Sequence, residues 1–371
     1  MTTSPRSPSS SLWDIVGYVA LVLIAVVAGF LYFEGTTLPE PVAPPPATPV
    51  PAAPRVTTPS EGLFGRLSRQ ARAGDVVSQR QLGQLYLSGM EVREDKAEAL
   101  KWLRMAGDKG DILAARLLGS VYAAGRGVPV NHSEAVSWWK LAANKGDDQA
   151  AYSLALAYLN GKGVAESQAE GVRYCRMAAE RGDPRAQSFL GYWSYHGTLL
   201  PESHQEAYAW FRKSAVQGSA WSQNWLGVMY REGHSVSQSD SEAVRWFQFA
   251  VNHASGEGCL NLSQMYFKGR GVTKDESKAL AILQKGAMLG HSLSQTELAR
   301  RLAVGDGAPV DPVEACAWYD LSVRGGDTDA KPARDAAFRT LSAAQVSSAR
   351  ARASSLSAQI ETEKAERRRV P

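Results

Sequence analysis

Glycine falls on a 36-residue ladder: Gly74, Gly110, Gly146, Gly182, Gly218, Gly290 and Gly326, with Ala254 on the one remaining rung. A period held without insertion over that length constrains the chain more than any composition does. It requires seven copies of one small unit, residues 75–110, 111–146, 147–182, 183–218, 219–254, 255–290 and 291–326, each too small to bury a core alone and therefore stacked on its neighbours. The ladder explains why "LLGSVYAAGRGV" at 117–128 returns as "NLSQMYFKGRGV" at 261–272, four periods later. The shared Gly-Arg-Gly-Val is not a phosphate-cradling loop, because such a loop follows a strand and these residues follow a stretch of helical composition.

Each column of the repeat has a physical meaning. Leu82, Leu118, Leu154, Leu190, Leu226, Leu262 and Leu298 precede by four residues Tyr86, Tyr122, Tyr158, Ser194, Tyr230, Tyr266 and Leu302, which puts both on one face of a first helix. The small residues Gly83, Gly119, Ala155, Gly191, Gly227, Ser263 and Ala299 imply that another helix packs closely there, since glycine inside a helix costs up to ~1 kcal/mol. A second glycine column, Gly89 to Gly305, stops the first helix. Second helices then start at Asp95, Asn131, Ser167, Ser203, Ser239 and Asp311, each with glutamate three residues on, a capping box or a close variant of it. Asp275 with Lys278 breaks that pattern, and Pro312 sits one residue inside its cap.

The series Leu118-Gly119, Tyr122, Gly125-x-Gly127-Val128, Glu134-Ala135, Trp138, Ala142-Ala143 and Gly146-Asp147 resembles the Sel-1-like repeat, a relative of the tetratricopeptide repeat. The resemblance covers about residues 75–326 and departs from the pattern at Ser194, at Leu199-Leu200 and at Ile282, so irregular packing is expected in those units. It implies a protein-binding scaffold of the kind that serves as an adaptor or regulator in bacterial envelopes. The expected fold is all-α: an α-solenoid of seven 36-residue helix-turn-helix repeats preceded by one transmembrane helix.

Residues 15–33 contain no charge and span ~29 Å as a helix, close to the ~30 Å hydrocarbon core of a bilayer. Trp13, Tyr18 and Tyr32 stand near the ends as interfacial anchors. A cleaved signal ending near Val26-Val27-Ala28 is the competing reading, but the apolar run is long and only Arg6 precedes it. Arg6 before the span, against Glu34 and Glu40 after it, places residues 1–14 in the cytoplasm and the repeats in the periplasm of a bacterial inner membrane. Residues 34–60 are rich in proline and form a linker of ~3.1 Å per residue in polyproline II. Residues 61–74 supply an N-terminal capping helix. Residues 327–371 form a C-terminal capping helix, opened by Ser342 and Gln345, and a basic tail.

The repeats carry 27 basic and 27 acidic side chains, so no bulk field favours nucleic acid as a partner. Six histidines without paired spacing argue against a metal site, and three cysteines in separate units read as buried thiols. No cofactor or small-molecule substrate is expected. Ser137-x-x-Lys140 matches the first element of a penicillin-binding site but lacks its Ser-Asp-Asn and Lys-Thr-Gly partners, so a cell-wall-peptide enzyme is the minor alternative.

First helices usually line the concave side of such stacks, so a binding face should appear as unusual residues in their non-core columns. Phe189, Tyr192 and His196 in the fourth unit and Trp221, Asn224 and Trp225 in the fifth meet that description. Aromatic groups beside a polar one are typical of interface hot spots; repair of packing in an irregular fourth unit is the bland alternative. Arg80 and Arg116 share a column and could clamp a chain-terminal carboxylate, although solvated arginines are the commoner case. The function expected is a non-enzymatic, membrane-tethered scaffold for envelope proteins, or a periplasmic sensor-regulator that restrains a membrane kinase or secretion complex.

Overall fold

The computed structural model describes residues 62–369, which form seventeen α-helices and one short 3-10 turn, with no strand among the described residues. The expected membrane helix at 15–33 and linker at 34–60 lie outside them; among the described residues no helix is long and apolar enough to cross a membrane. A leading helix α1 (Leu63–Arg72) is followed by seven pairs: α2 (Val76–Ser88) with α3 (Lys96–Asp108), α4 (Ile112–Ala124) with α5 (His132–Asn144), α6 (Asp148–Leu159) with α7 (Gln168–Glu180), α8 (Pro184–His196) with α9 (His204–Val216), α10 (Ala220–Glu232) with α11 (Asp240–Asn252), α12 (Gly256–Lys268) with α13 (Glu276–Met288), and α14 (Ser292–Val304) with α15 (Pro312–Arg324). After them come α16 (Lys331–Arg339) and α17 (Ala343–Arg369). Each helix packs on its chain neighbours, more extensively within a pair than between pairs, and consecutive first helices such as α10, α12 and α14 also touch. Consecutive second helices meet only sparsely, so the first helices form the inner row.

The 36-residue rungs are left-handed turns between repeats. Gly74, Gly110, Gly146, Gly182, Gly218, Gly290 and Gly326 have φ between 81° and 112°, a region open to glycine and strained for residues with a Cβ. Ala254 is held at 60°. The second glycine column ends first helices as expected, with Gly89, Gly125, Gly197, Gly233, Gly269 and Gly305 in left-handed caps.

The small-residue column is where each first helix meets its own second helix. A Cβ on Gly83 would stand 2.7 Å from Leu103, on Gly119 2.3 Å from Trp139, on Gly191 2.7 Å from Phe211, and on Gly227 2.5 Å from Phe247. The whole leucine column, Leu82 to Leu298, is buried beside these contacts. Between repeats, a buried glutamine reaches back eight residues to the preceding second helix. The Nε2 groups of Gln79, Gln187, Gln223 and Gln295 donate to the carbonyls of Ala71, Ala179, Ala215 and Ala287 at 3.0–3.1 Å.

The caps differ from the expected reciprocal boxes. Asp95, Asn131, Ser167, Ser203, Ser239, Asp275 and Asp311 all accept from amides in the first turn, and Lys278 supplies its backbone amide as readily as the glutamates do. The cap residue's own amide, however, donates to the carbonyl of the tyrosine column, as Asn131 does to Tyr122 at 2.9 Å and Ser239 to Tyr230 at 2.9 Å. That bond ties the second helix to the first and releases the glutamates: Glu134 accepts from Trp138 Nε1 at 3.1 Å and Glu314 from Trp318 Nε1 at 3.0 Å. Among the described residues, only Ser342 and Gln345 form a reciprocal box. The helix behind it, α17, buries Ala353, Leu356 and Ile360 in the cluster that includes Leu298 and Trp318, and Arg352 forks onto Glu314 at 2.7 and 3.0 Å. At the other end, Leu67 and Ala71 of α1 are buried and Phe64 meets Tyr86 edge-on. The fourth unit keeps helices of regular length, and Leu199 and Leu200 pack onto the core of the first four repeats.

Two consequences concern stability. Ala254→Gly removes the strain of a left-handed alanine, partly offset by a freer unfolded chain, and is expected to stabilise the solenoid by up to about 1 kcal/mol, raising Tm by roughly 2–4 °C in calorimetry. His291 caps α14 where other repeats place Asp or Ser; its Nδ1 accepts from the Ser294 amide at 3.3 Å, and burial lowers its pKa to about 4. The unfolded chain, with an ordinary pKa near 6.5, then binds the extra proton first as pH falls. Wild type should therefore lose stability relative to His291→Asn between about pH 6.5 and 4, on the order of 2 kcal/mol, as read by denaturant melts across that window.

Candidate protein-binding face

The aromatic residues of the fourth and fifth repeats converge on the inner row. On α8, steps of three and four put Phe189, Tyr192 and His196 along one side, and on α10 Trp221 and Trp225 are one turn apart. Tyr192 sits between the two tryptophans, with ring centroids 5.3 Å from Trp221 and 5.8 Å from Trp225. Phe189 lies 5.9 Å from Trp221, His196 lies 5.2 Å from Trp225, and the two indoles stand perpendicular at 6.4 Å. Such edge and tilted geometries are those aromatic pairs prefer. All five side chains are half-buried, neither sealed in the core nor freely solvated. Burial lowers the pKa of His196, and its Nε2 and the indole Nε1 of Trp225 are both buried without a hydrogen-bond partner.

The floor below is Phe211 of α9, stacked on Trp225 with centroids 5.7 Å apart and rings within 4° of parallel. Phe211 is fully buried because Gly191 leaves room for it. Packing and accessibility are thus two sides of the same residues: Trp225 covers the core with one ring face and edges an aromatic surface with the other contacts. Beside it, three serines meet at the inter-repeat contact, Ser214 standing where the first three repeats place Ala106, Ala142 and Ala178. Ser188 Oγ lies 2.7 Å from both Ser214 Oγ and Ser222 Oγ, and Ser214 also donates to the Pro184 carbonyl at 2.7 Å, so this buried polar knot is satisfied internally.

Asn224 is buried, on the same helix between the tryptophans. Its Nδ2 donates to Glu257 at 3.2 Å and its Oδ1 accepts from Asn261 at 2.8 Å, so it joins α10 to α12. Arg80 and Arg116 stand away from the aromatic cluster. Each reaches the aspartate that caps the next first helix, Arg80 to Asp111 at 3.2 Å and Arg116 to Asp147 at 3.3 Å.

Three neighbours of the cluster escaped sequence reasoning. Tyr195 lies 4.8 Å from Trp225 by ring centroid and bonds His234 Nδ1 through its hydroxyl at 2.8 Å, while His204 and His234 stack at 4.3 Å. The available signal was a tyrosine in a column that holds Leu87, Ala123 and Leu159 in the preceding repeats. The two histidines, 30 residues apart, meet because one opens α9 and the other follows the end of α10. Elsewhere, the three thiols are buried and unbridged, and burial pushes the Cys259 and Cys316 pKa values up to about 11. No group of three or more His, Cys, Asp or Glu among the described residues is placed to hold a metal ion. Ser137 Oγ donates to its own helix at the Ser133 carbonyl, 3.1 Å away, and Lys140 lies over the Tyr158 ring.

A stack of helix pairs with its distinctive side chains on the inner row defines a helical-repeat protein of the kind commonly used for protein interaction. Residues 76–111, 112–147, 148–183, 184–219, 222–255, 256–291 and 292–327 each match the Sel1 repeat, and the chain belongs to the Sel1 repeat family. It is similar to the crystal structure of a protective antigen present in uropathogenic Escherichia coli strains displaying an SLR fold, with 32% identity and a TM-score of 0.65 over 81% of this chain and 64% of that one. The chain therefore spans just under two thirds of that relative. It is also similar to a Sel1 repeat protein from Oxalobacter formigenes, with 30% identity and a TM-score of 0.59 over 71% of this chain and 76% of that one. No curated protein sequence matches the chain.

The arginine pairing has a measurable consequence. The Asp147 side chain is only 5% exposed, so Arg116→Ala strips a nearly buried carboxylate of its guanidinium and is expected to destabilise the solenoid by about 1–2 kcal/mol in urea melts.

Proposed function

We propose that this protein is a non-enzymatic scaffold that binds protein partners on the inner row of its first helices, with Trp221 and Trp225 as the central anchors and Phe189, Tyr192 and His196 around them. The observation that carries the reading is the half-burial of this cluster: Phe189 and Trp225 stand where other repeats place Gln81, Ser153 or Glu297, their rings and those of Tyr192 and Trp221 contact one another, and the rings remain reachable. Large, rigid aromatic groups in a preformed surface lose little entropy on docking, which is why tryptophan and tyrosine dominate interface energetics. Residues 15–33 tether the scaffold to a bacterial inner membrane in this reading, and residues 34–60 hold the repeats on its periplasmic side, where envelope proteins would be gathered. The protein-interaction part rests on the repeat architecture and the aromatic face. The membrane part rests on the uncharged apolar run and its flanking charges.

The test is in-cell crosslinking of the full-length protein with identification of the captured proteins by mass spectrometry, for wild type and for Trp221→Ala/Trp225→Ala. Circular dichroism must first show both folded, because Trp225 also covers Phe211. Capture of a defined envelope protein by wild type, reduced tenfold or more in the double variant, supports the reading. An unchanged captured set would remove the aromatic face from the binding function.

A further inference from the structure

The inner row carries charges as well as rings, and most of them are already answered. Arg80 and Arg116 are neutralised by Asp111 and Asp147, Arg185 by Asp183 at 2.6 Å, Arg231 by Glu232 at 2.7 Å, and Glu297 by Arg300 and Arg301 at 2.9 and 2.8 Å. Glu257 differs. It occupies in α12 the position that Trp221 holds in α10, and Leu293 holds it in α14. Glu257 is exposed as a residue, yet its carboxylate is crowded enough by its neighbours to be partly desolvated; it accepts from Asn224 at 3.2 Å and has no cation within ion-pair distance among the described residues. Desolvation alone raises its pKa above the ordinary glutamate value, and no nearby cation offsets that rise.

We propose that Glu257 receives a lysine or arginine side chain of a bound peptide segment, whose flanking apolar side chains lie on the Trp221–Trp225 surface to one side and on Leu293 to the other. The inference rests on the binding face proposed above and names the chemistry of its occupant. Charge complementarity selects the occupant: a carboxylate held by a neutral amide beside π faces is stabilised by an incoming cation and destabilised by an incoming anion. Leu293 is 53% exposed, far more than a core leucine, and its first helix touches α12. Neighbouring first helices in contact are spaced by about 10 Å, roughly three residues of extended chain. The partner segment should therefore read apolar, basic, apolar at intervals of about three residues, rather than carry a free chain terminus.

Selection of random capped dodecapeptides displayed on phage against the full-length protein in detergent micelles tests this, with wild type, Glu257→Gln and Trp221→Ala/Trp225→Ala run in parallel and their folding checked by circular dichroism. The expected result is enrichment by wild type of peptides with one basic residue between apolar ones. A synthetic peptide of the enriched sequence should bind Glu257→Gln about tenfold more weakly and lose affinity as salt rises. Glu257→Gln keeps the size and the Asn224 contact, so its loss reports charge rather than fold. Peptides that depend on the tryptophans but show no basic enrichment, or that bind Glu257→Gln equally, would overturn the inference while leaving the binding face intact. Peptides indifferent to the tryptophans, or no enrichment at all, would overturn both.

Discussion

The structure depends on the close approach of two helices across a glycine. Gly83, Gly119, Gly191 and Gly227 each leave the volume of a Cβ to a large side chain of the following helix: Leu103, Trp139, Phe211 and Phe247. Glycine in a helix interior is costly in isolation. Here that cost is offset by burying a leucine or an aromatic ring, worth ~1.5–3 kcal/mol each. In the third repeat the column reads Ala155 opposite the smaller Cys175, so a side chain with a Cβ is matched by a less bulky partner. Because every repeat makes this contact in the same place, each presents the same ledge to the next, and the buried glutamines and left-handed rungs fix the step between them.

Much of this was legible in the amino-acid sequence because a repeat states each structural rule several times. Seven leucines, six of them four residues before a ring or aliphatic residue and one before Ser194, leave little choice of period, and eight rungs demand a conformation that glycine favours. The caps form as the close variant of a capping box rather than as the full one, for an instructive reason. A glutamate three residues after a cap satisfies the local pattern, but the cap amide has a competitor, the tyrosine-column carbonyl about nine residues earlier, which no short-range rule considers. The pairing of Arg116 with Asp147, 31 residues away, was hidden for the same reason: both side chains look like surface residues until the stacking of repeats is known. The membrane span and linker remain sequence-based expectations.

The site shows how a solenoid can become specific without changing its frame. The leucine and small-residue columns keep their character through the fourth and fifth repeats, Ser194 and Leu199-Leu200 being the departures from the frame, and most of the variation falls at positions the frame leaves open. Phe189 and Trp225 occupy a column that elsewhere holds Gln81 and Ser153; Ser188 and Ser222 appear where packing tolerates a hydroxyl if a partner is present. The aromatic surface was visible in the sequence as an excess of rings. Its support was not, because Phe211 below Trp225 belongs to the other helix and looks like ordinary core.

Charge on the inner row follows a rule that the frame itself imposes. An aspartate is favoured at the start of each first helix because it caps free amides and complements the helix dipole. An arginine five residues into one first helix then finds the next repeat's cap within reach, and the pair cancels. Where the cap is serine, as at Ser255, no such partner exists, and the position that would hold arginine carries Asn224 instead. Asn224 turns to the next free acceptor, Glu257, with a neutral amide that orients the carboxylate without neutralising it. Serine in place of a capping aspartate thus leaves a negative charge near the aromatic face, where three repeats earlier Arg116 and Asp147 form a closed ion pair.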